Sequence, residues 1–246
     1  NDFFELHDRY GCEMQVGGSD QWGNITAGID LIRRRAGATA HGLTLPLLTR
    51  SDGAKFGKTA DAAVWLDPAL TLPYELHQYF RNVDDRDVEQ YLLRLTLVDV
   101  DDVAAVMADH ASHPEERLAQ QRLADEVCAL VHGEDETNRA RLAAEVLFAG
   151  SAPTIDALDA LRGIVPETEV AATDLEGEES LVDALVASGL CSSRGDARRT
   201  IGGGGVSVNG VRQDDSATRL PADALVGGRY VLLQKGRRSR HLLVAD

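Results

Sequence analysis

A chain of 246 residues, 43% hydrophobic and 26% charged, has the apolar mass for a packed core and room for one to three domains. No apolar run approaches the ~18 residues of a membrane span. The three scattered cysteines, Cys12, Cys128 and Cys191, exclude a disulfide framework or zinc ribbon and fit a reducing compartment. The net charge of −15 is uneven: residues 1–177 carry 15 basic and 32 acidic groups, residues 178–246 carry 10 and 8. Arg229–Asp246 holds five basic residues against one acid, and this asymmetry between the two parts is a functional hint. The seven histidines show no metal-ligand spacing, and His110 and His113 read as a solvated segment. The chain opens on Asn1 without methionine or leader, the pattern expected of a fragment or processed product.

In chain order, Met14-Gln15-Val16 followed by Gly17-Gly18-Ser19-Asp20 predicts a buried strand ending in a tight turn. Ser19 or Asp20 then caps a helix through Ile25, Ile29 and Ile32, closed by Arg33-Arg34-Arg35 and Gly37. Leu43–Leu48 predicts a second buried strand, so residues 1–66 suggest part of a parallel α/β sheet. Residues 67–150 read as helical. Asp84 or Asp85 starts a helix with Val88, Tyr91, Leu92 and Leu95 on one face; Pro114 opens another with Leu123 and Val127; a third carries Leu142, Val146 and Leu147. These stripes predict helix packing and no chemistry. Residues 151–179 read as a linker, since Glu167–Glu179 holds six acids and no base. Residues 180–246 form a compact α+β block. Leu181–Ser188 is a helix stopped by Gly189, and Ser192 or Ser193 starts a second helix. Val206–Val211 is a hairpin signalled by Asn209-Gly210, and strands at Tyr230–Leu233 and His241–Val244 flank the basic turn Lys235–Arg240.

Three segments carry candidate chemistry. Gln15–Asn24 places two glycines and Asp20 at a strand end, where ligands of open α/β sheets bind, and a carboxylate there can hold sugar hydroxyls. By itself the segment fits better a glycine turn with Asp20 as helix cap. Lys55-Phe56-Gly57-Lys58-Thr59 gathers two of only three lysines on one glycine-containing loop, a mobile clamp for polyphosphate or merely a solvated turn. Arg194, Arg198 and Arg199, with Lys235, Arg237, Arg238 and Arg240, suit sugar-phosphate recognition or an ordinary solvated face.

Together these segments resemble bacterial tyrosyl-tRNA synthetases. Gly18–Asn24 looks like their GSDQWGN segment, and Lys55–Thr59 like their KFGKT form of the class I KMSKS loop. The helical block resembles their anticodon-binding domain, at Asp84–Val88 and Leu130–Gly133, and the last block resembles their appended small RNA-binding fold. The resemblance implies a multidomain chain: the second half of a Rossmann-like α/β class I catalytic domain, an all-α anticodon-binding domain and a small α+β RNA-binding domain. It further implies that Asp2 accepts the tyrosine phenol hydrogen and that Gln15 and Gln21 line the amino-acid site. Gly18, Asp20 and Gln21 then hold adenylate, and Lys55, Lys58 and Thr59 stabilise departing pyrophosphate. ATP with Mg²⁺, tyrosine and tRNA(Tyr) are the implied partners, in a cytoplasmic homodimer with no resident metal or organic cofactor. The HIGH-type segment of the family is absent, as are the tyrosine and glutamine expected just upstream of Asp2, so this chain alone is expected to be inactive. Two alternatives stay open: a tryptophanyl-type class I synthetase, and a stand-alone RNA-binding protein derived from a synthetase.

Overall fold

The computed structural model describes residues 1–51, 64–148, 153–214, 217–221 and 223–245. Two compact units divide at residue 63, Asn1–Ala63 and Val64–Asp246.

In the first unit, α1 (Asp2–Tyr10) leads into β1 (Met14–Gly18), a 3₁₀ turn (Ser19–Gln21), α2 (Trp22–Ala36) and β2 (His41–Leu45). The strands pair in parallel from Met14↔His41 to Gly18↔Leu45, with α2 as the crossover that parallel pairing requires. Ile25 and Ile32 of α2 are buried, and Phe3 of α1 packs with Ile32 and Ala40. Two expectations are corrected. Neither Ser19 nor Asp20 caps α2 through its side chain: the 3₁₀ turn intervenes, and α2 begins at Trp22. The strands are not buried on both faces. Period-two alternation turns Met14, Val16, Leu43 and Leu45 away from α2, and each is about half exposed, because no second layer covers that face among the described residues.

The second unit begins with α3 (Pro73–Arg81), α4 (Asp85–Leu95), α5 (Val100–Ser112), α6 (Leu118–His132) and α7 (Glu134–Phe148). Asp84 caps α4 by accepting a hydrogen bond from the Arg86 amide, and the predicted stripe buries Val88, Tyr91 and Leu92. Pro114 opens only a 3₁₀ turn, Pro114–Glu116; α6 starts after Arg117, whose φ of 55° is rare for a residue with a side chain. His110, expected in a solvated segment, is buried on α5, with its Nε2 3.5 Å from Asp85. Asp125 ties three helices: it lies 2.9 Å from His77 Nε2 of α3 and accepts from Arg141 Nε of α7 at 2.8 Å. Burial raises the Asp125 carboxyl, but those two hydrogen bonds and their charges outweigh it and hold it below its ordinary value.

The stretch expected to be a solvated linker is built into the fold. α8 (Ile155–Asp159) buries Ala157 and Leu158, and β3 (Glu167–Val170) pairs in parallel with β7. There follow α9 (Ser180–Ala187), α10 (Arg194–Gly202), β4 (Val206–Val208), β5 (Val211–Arg212), β6 (Tyr230–Lys235) and β7 (Ser239–Ala245), in sheet order β3-β7-β6-β4-β5. Asn209 and Gly210, at φ 49° and 81°, make the two-residue turn their sequence announces. One side of the sheet packs on α9 and α10 through Leu181, Leu185, Ile201, Val231 and Leu243. The other joins Tyr230, Leu232, Leu242 and Val244 to Ala143, Val146 and Leu147 of α7 and to Leu158 and Leu161 around α8. Helices and sheet therefore share a core. Alternation explains the misreading: Val170 turns inward from β3, while Glu167 and Glu169 leave the charge outside.

Candidate functional site

In the first unit, Gly18, Asp20 and Gln21 fall within one turn at the carboxyl end of β1. The Asp20 carboxylate folds back over Gly18: a Cβ at residue 18 would lie 2.7 Å from Asp20 Oδ1 and 3.0 Å from Leu47 Cδ2. A side chain at residue 18 would displace the Asp20 carboxylate from this position, so glycine there lets the carboxylate lie over the strand end. Gln21 accepts from Asn24 Nδ2 at 2.9 Å, which orients its amide. The turn is exposed and can offer a carboxylate and an amide to a polar ligand. Gln15 is half-buried, and alternation sets it on the opposite face of β1 from Gly18, beside Gly17. Asp2 is exposed in the first turn of α1 and makes no hydrogen bond to Gln15 or Gln21. Gly18, Asp20 and Gln21 thus share one turn, and Gln21 also lies against Gly17, on the face of β1 that carries Gln15. Lys55, Lys58 and Thr59 lie outside the described residues.

The seven cationic candidates of the second unit sort into distinct environments. Arg194 donates from Nε to Asp183 at 2.7 Å and lies 3.7 Å from Glu179, and Asp183 raises its guanidinium above the ordinary value. Arg198 Nη2 meets Glu179 at 2.5 Å. Lys235 Nζ donates to the Leu190 carbonyl at 2.9 Å and lies 3.4 Å from Asp196. Arg240 reaches across to the Leu147 carbonyl at the end of α7 and buries an Nε that has no partner among the described residues. Arg199, Arg237 and Arg238 are exposed and in no ion pair among the described residues. Sequence reasoning expected one basic face. The structure shows a largely neutralised α10 and free charge at the β6–β7 turn.

Sequence reasoning assigned the helices no chemistry, yet they border an open groove of about 650 Å³ lined by Arg81, Arg117, Arg141, His77 and Phe148 among others. Burial, and then the neighbouring charge of Arg117, pushes the Arg81 guanidinium below its ordinary value. Phe148, 73% exposed at the end of α7, also borders a cavity of about 400 Å³ with Arg237 and Arg240. The one signal available in sequence was arginine at positions flanking helix ends, which ordinary solvated helices share.

The first unit is thus a parallel strand–turn–helix–strand with a carboxylate beside its terminal glycine, and the second is a helical block sharing a core with an α+β sheet. Residues 1–149 match the family model for class I tRNA synthetases (W and Y), and residues 159–243 match that for the Tyrosine--tRNA ligase SYY-like C-terminal domain. The chain belongs to the class I tRNA synthetase family (W and Y). Curated relatives named Tyrosine--tRNA ligase include that of Roseiflexus castenholzii, 48% identical over 98% of this chain. Those of Anaeromyxobacter dehalogenans and Mycobacterium tuberculosis are each 46% identical, over 98% and 97% of this chain. The chain spans 58% of the length of the Roseiflexus and Anaeromyxobacter relatives and 57% of the mycobacterial one. A solved C-terminally truncated mitochondrial tyrosyl-tRNA synthetase from Coccidioides posadasii matches with a TM-score of 0.48 at 37% identity, over 56% of this chain and 40% of its own.

Proposed function

We propose that this chain is part of a tyrosine–tRNA ligase, which activates tyrosine with ATP to tyrosyl-adenylate and pyrophosphate and passes the tyrosyl group to tRNA(Tyr). The observation that carries the reading is the match of 98% of this chain to proteins of that name, of which it spans 58%, together with the match of residues 159–243 to a tyrosine-type domain. That second match favours tyrosine over a tryptophanyl relative. The enzyme reading is further supported against a stand-alone RNA-binding protein by the intact Gly18–Asp20 turn.

In this reading Asp20 accepts hydrogen bonds from ribose hydroxyls of the adenosine, with Gly18 giving the sugar room at the backbone. Gln21 and Gln15 hold the amino acid, and Asp2 accepts the phenol hydrogen. Lys55, Lys58 and Thr59 supply positive charge and donors where negative charge grows on the leaving pyrophosphate. Among the described residues no three His, Cys, Asp or Glu side chains gather to hold a metal ion. Mg²⁺ is read as entering with the ATP substrate, carried on its phosphates. The full-length protein is read as a cytoplasmic homodimer, and among the described residues no helix is long and apolar enough to cross a membrane.

Tyrosine-dependent exchange of labelled pyrophosphate into ATP tests the reading. The full-length protein is expected to catalyse exchange and the present chain alone is not. Lys55→Ala or Lys58→Ala in the full-length protein is expected to slow adenylate formation by ~3–4 kcal/mol of barrier with tyrosine affinity unchanged, the cost of one preorganised charge at the transition state. Exchange driven by tryptophan instead of tyrosine would refute the assignment. Variants that chiefly raise the tyrosine dissociation constant would move the loop from catalysis to substrate binding.

A further inference from the structure

Two carboxylates from the start of α9 stand against α10. Asp183, in the first turn of α9, accepts from Arg194 Nε at 2.7 Å. Glu179, just before α9, lies 3.7 Å from Arg194 and accepts from Arg198 Nη2 at 2.5 Å. Asp196, the one acid of α10 itself, is taken up by the Ser192 amide at 3.1 Å and by Lys235 at 3.4 Å. Among the described residues, Arg194 and Arg198 are therefore neutralised from α9 alone. Each pair is exposed and weak by itself, so a phosphate can break it. The carboxylates, however, are held in place. The Leu181 amide donates to the Thr218 carbonyl, Thr218 Oγ1 to the Glu178 carbonyl and the Leu220 amide to the buried Ser180 Oγ, each at 3.0 Å. Leu181 and Leu185 share a core with Ala197 and Ile201 of α10. The positive end of the α9 dipole also favours negative charge at this place. A phosphate seated on Arg194 or Arg198 would lie within the ~8 Å screening length of two fixed negative charges.

We propose that Glu179 and Asp183 form a fixed electrostatic mask over α10, which sets the affinity of this block for RNA well below what its arginines would give. The inference rests on the RNA-binding reading above and names what limits it: two acids on the neighbouring helix. A mobile acidic segment would swing aside when a polyanion arrived and would oppose it little. A segment pinned through its backbone and its apolar face stays and repels. Phosphate contacts carry no base information, so the mask weakens binding of every RNA alike. Only an RNA with enough contacts elsewhere, as at the unpaired Arg237 and Arg238, is then retained.

The full chain and its Glu179→Gln, Asp183→Asn double variant are titrated by fluorescence anisotropy, across salt, with a labelled tRNA(Tyr) transcript and a tRNA transcript of unrelated sequence. Freeing two arginines is expected to steepen the fall of log affinity with log salt by about 1.4–1.8 and to tighten binding of both RNAs roughly tenfold at low salt. Glu179→Gln alone is expected to give part of that gain. Adding Arg194→Ala and Arg198→Ala to the double variant is expected to abolish it. Glu89→Gln with Glu169→Gln removes as much charge from exposed positions on α4 and β3, and is expected to change affinity less than about twofold. Both masking acids are exposed and Glu179 makes no side-chain cap to α9, so the amide variants keep the fold. Wild-type binding with no gain in the double variant, a gain equalled by the α4 and β3 control, or a gain for one RNA only would overturn the mask alone. Absence of binding by the wild-type chain and by every variant to either RNA would remove the RNA-binding reading as well.

Discussion

If the basic block contacts RNA, the arginines that matter are set by what surrounds each one. Arg237 and Arg238 stand in the turn after β6 with no ion pair among the described residues, whereas Arg194 and Arg198 are engaged by Glu179 and Asp183. An exposed ion pair is worth only about 0–1 kcal/mol, so a phosphate can displace it. The displaced carboxylates nevertheless remain beside the phosphate and repel it, and the net gain is close to zero. A free arginine that meets a phosphate releases counterions, and log affinity then falls with log salt at ~0.7–0.9 per contact. Between about 50 and about 200 mM salt that amounts to roughly threefold in affinity per contact, so two contacts give roughly tenfold. Replacing Arg237 and Arg238 together by alanine should therefore shrink the salt-driven loss of tRNA affinity roughly tenfold. The pair Arg194→Ala and Arg198→Ala should leave it nearly unchanged. Gel-shift titrations of tRNA against the whole chain across that salt range read both. Equal effects from the two pairs, or a larger one from Arg194 and Arg198, would refute the reasoning that local carboxylates decide which cations are available.

Other expectations follow from single residues. His241 is buried on β7 beside Thr168 Oγ1 at 2.8 Å, and burial holds its pKa below the ordinary value against the opposing charge of Glu167. The unfolded chain therefore binds the proton first, and stability should fall as pH drops below about 6.5; hydrogen exchange at β3 that stays constant through that window would contradict it. If Asp2 accepts the phenol hydrogen as proposed, Asp2→Ala in the full-length enzyme should lower activity and discrimination against phenylalanine; competitive adenylation assays with unchanged discrimination would assign specificity elsewhere. Residues 180–246 alone should fail to fold, since the cut removes β3 from β7 and uncovers Tyr230, Leu232, Leu242 and Val244. At ~1.5–3 kcal/mol for each side chain exposed, that loss rivals the ~5–15 kcal/mol stability of a domain. A cooperative thermal transition in that piece would show the sheet to be self-sufficient.

Much of the fold was legible because local signals acted alone. Asp84, Ser193 and the Asn209-Gly210 turn each fix backbone within a few residues, and each is where its residue type predicts. Non-local pairing was not legible. β3 contributes one inward Val170 among acids, and nothing local distinguishes Glu167–Val170 from a solvated tail until β7 supplies the partner. His110 misled for the same reason, since a histidine amid acids reads as solvated until α4 and α6 bury it. Met14 and Leu43 erred in the other direction: their apolarity promised burial that the described residues do not provide.

The candidate site divides along the same line. The Gly18–Asp20 turn was legible because its geometry is contained in three consecutive residues, so the sequence carries the whole constraint. The cationic surface was legible only as composition. Counting arginines gave a basic block, but an electrostatic field depends on which carboxylates fold beside them. Glu179, on the edge of the supposed linker, neutralises α10 from outside it. Arg81 and Arg117, 36 residues apart in a strongly acidic region, come together through each other's backbone carbonyls, with the charge of Asp125 acting on Arg81. Screening at ~8 Å in physiological salt makes such local arrangement outweigh regional net charge. A polyanion approaching this protein therefore meets an acidic molecule at long range, and a few uncompensated guanidiniums once it is within contact distance.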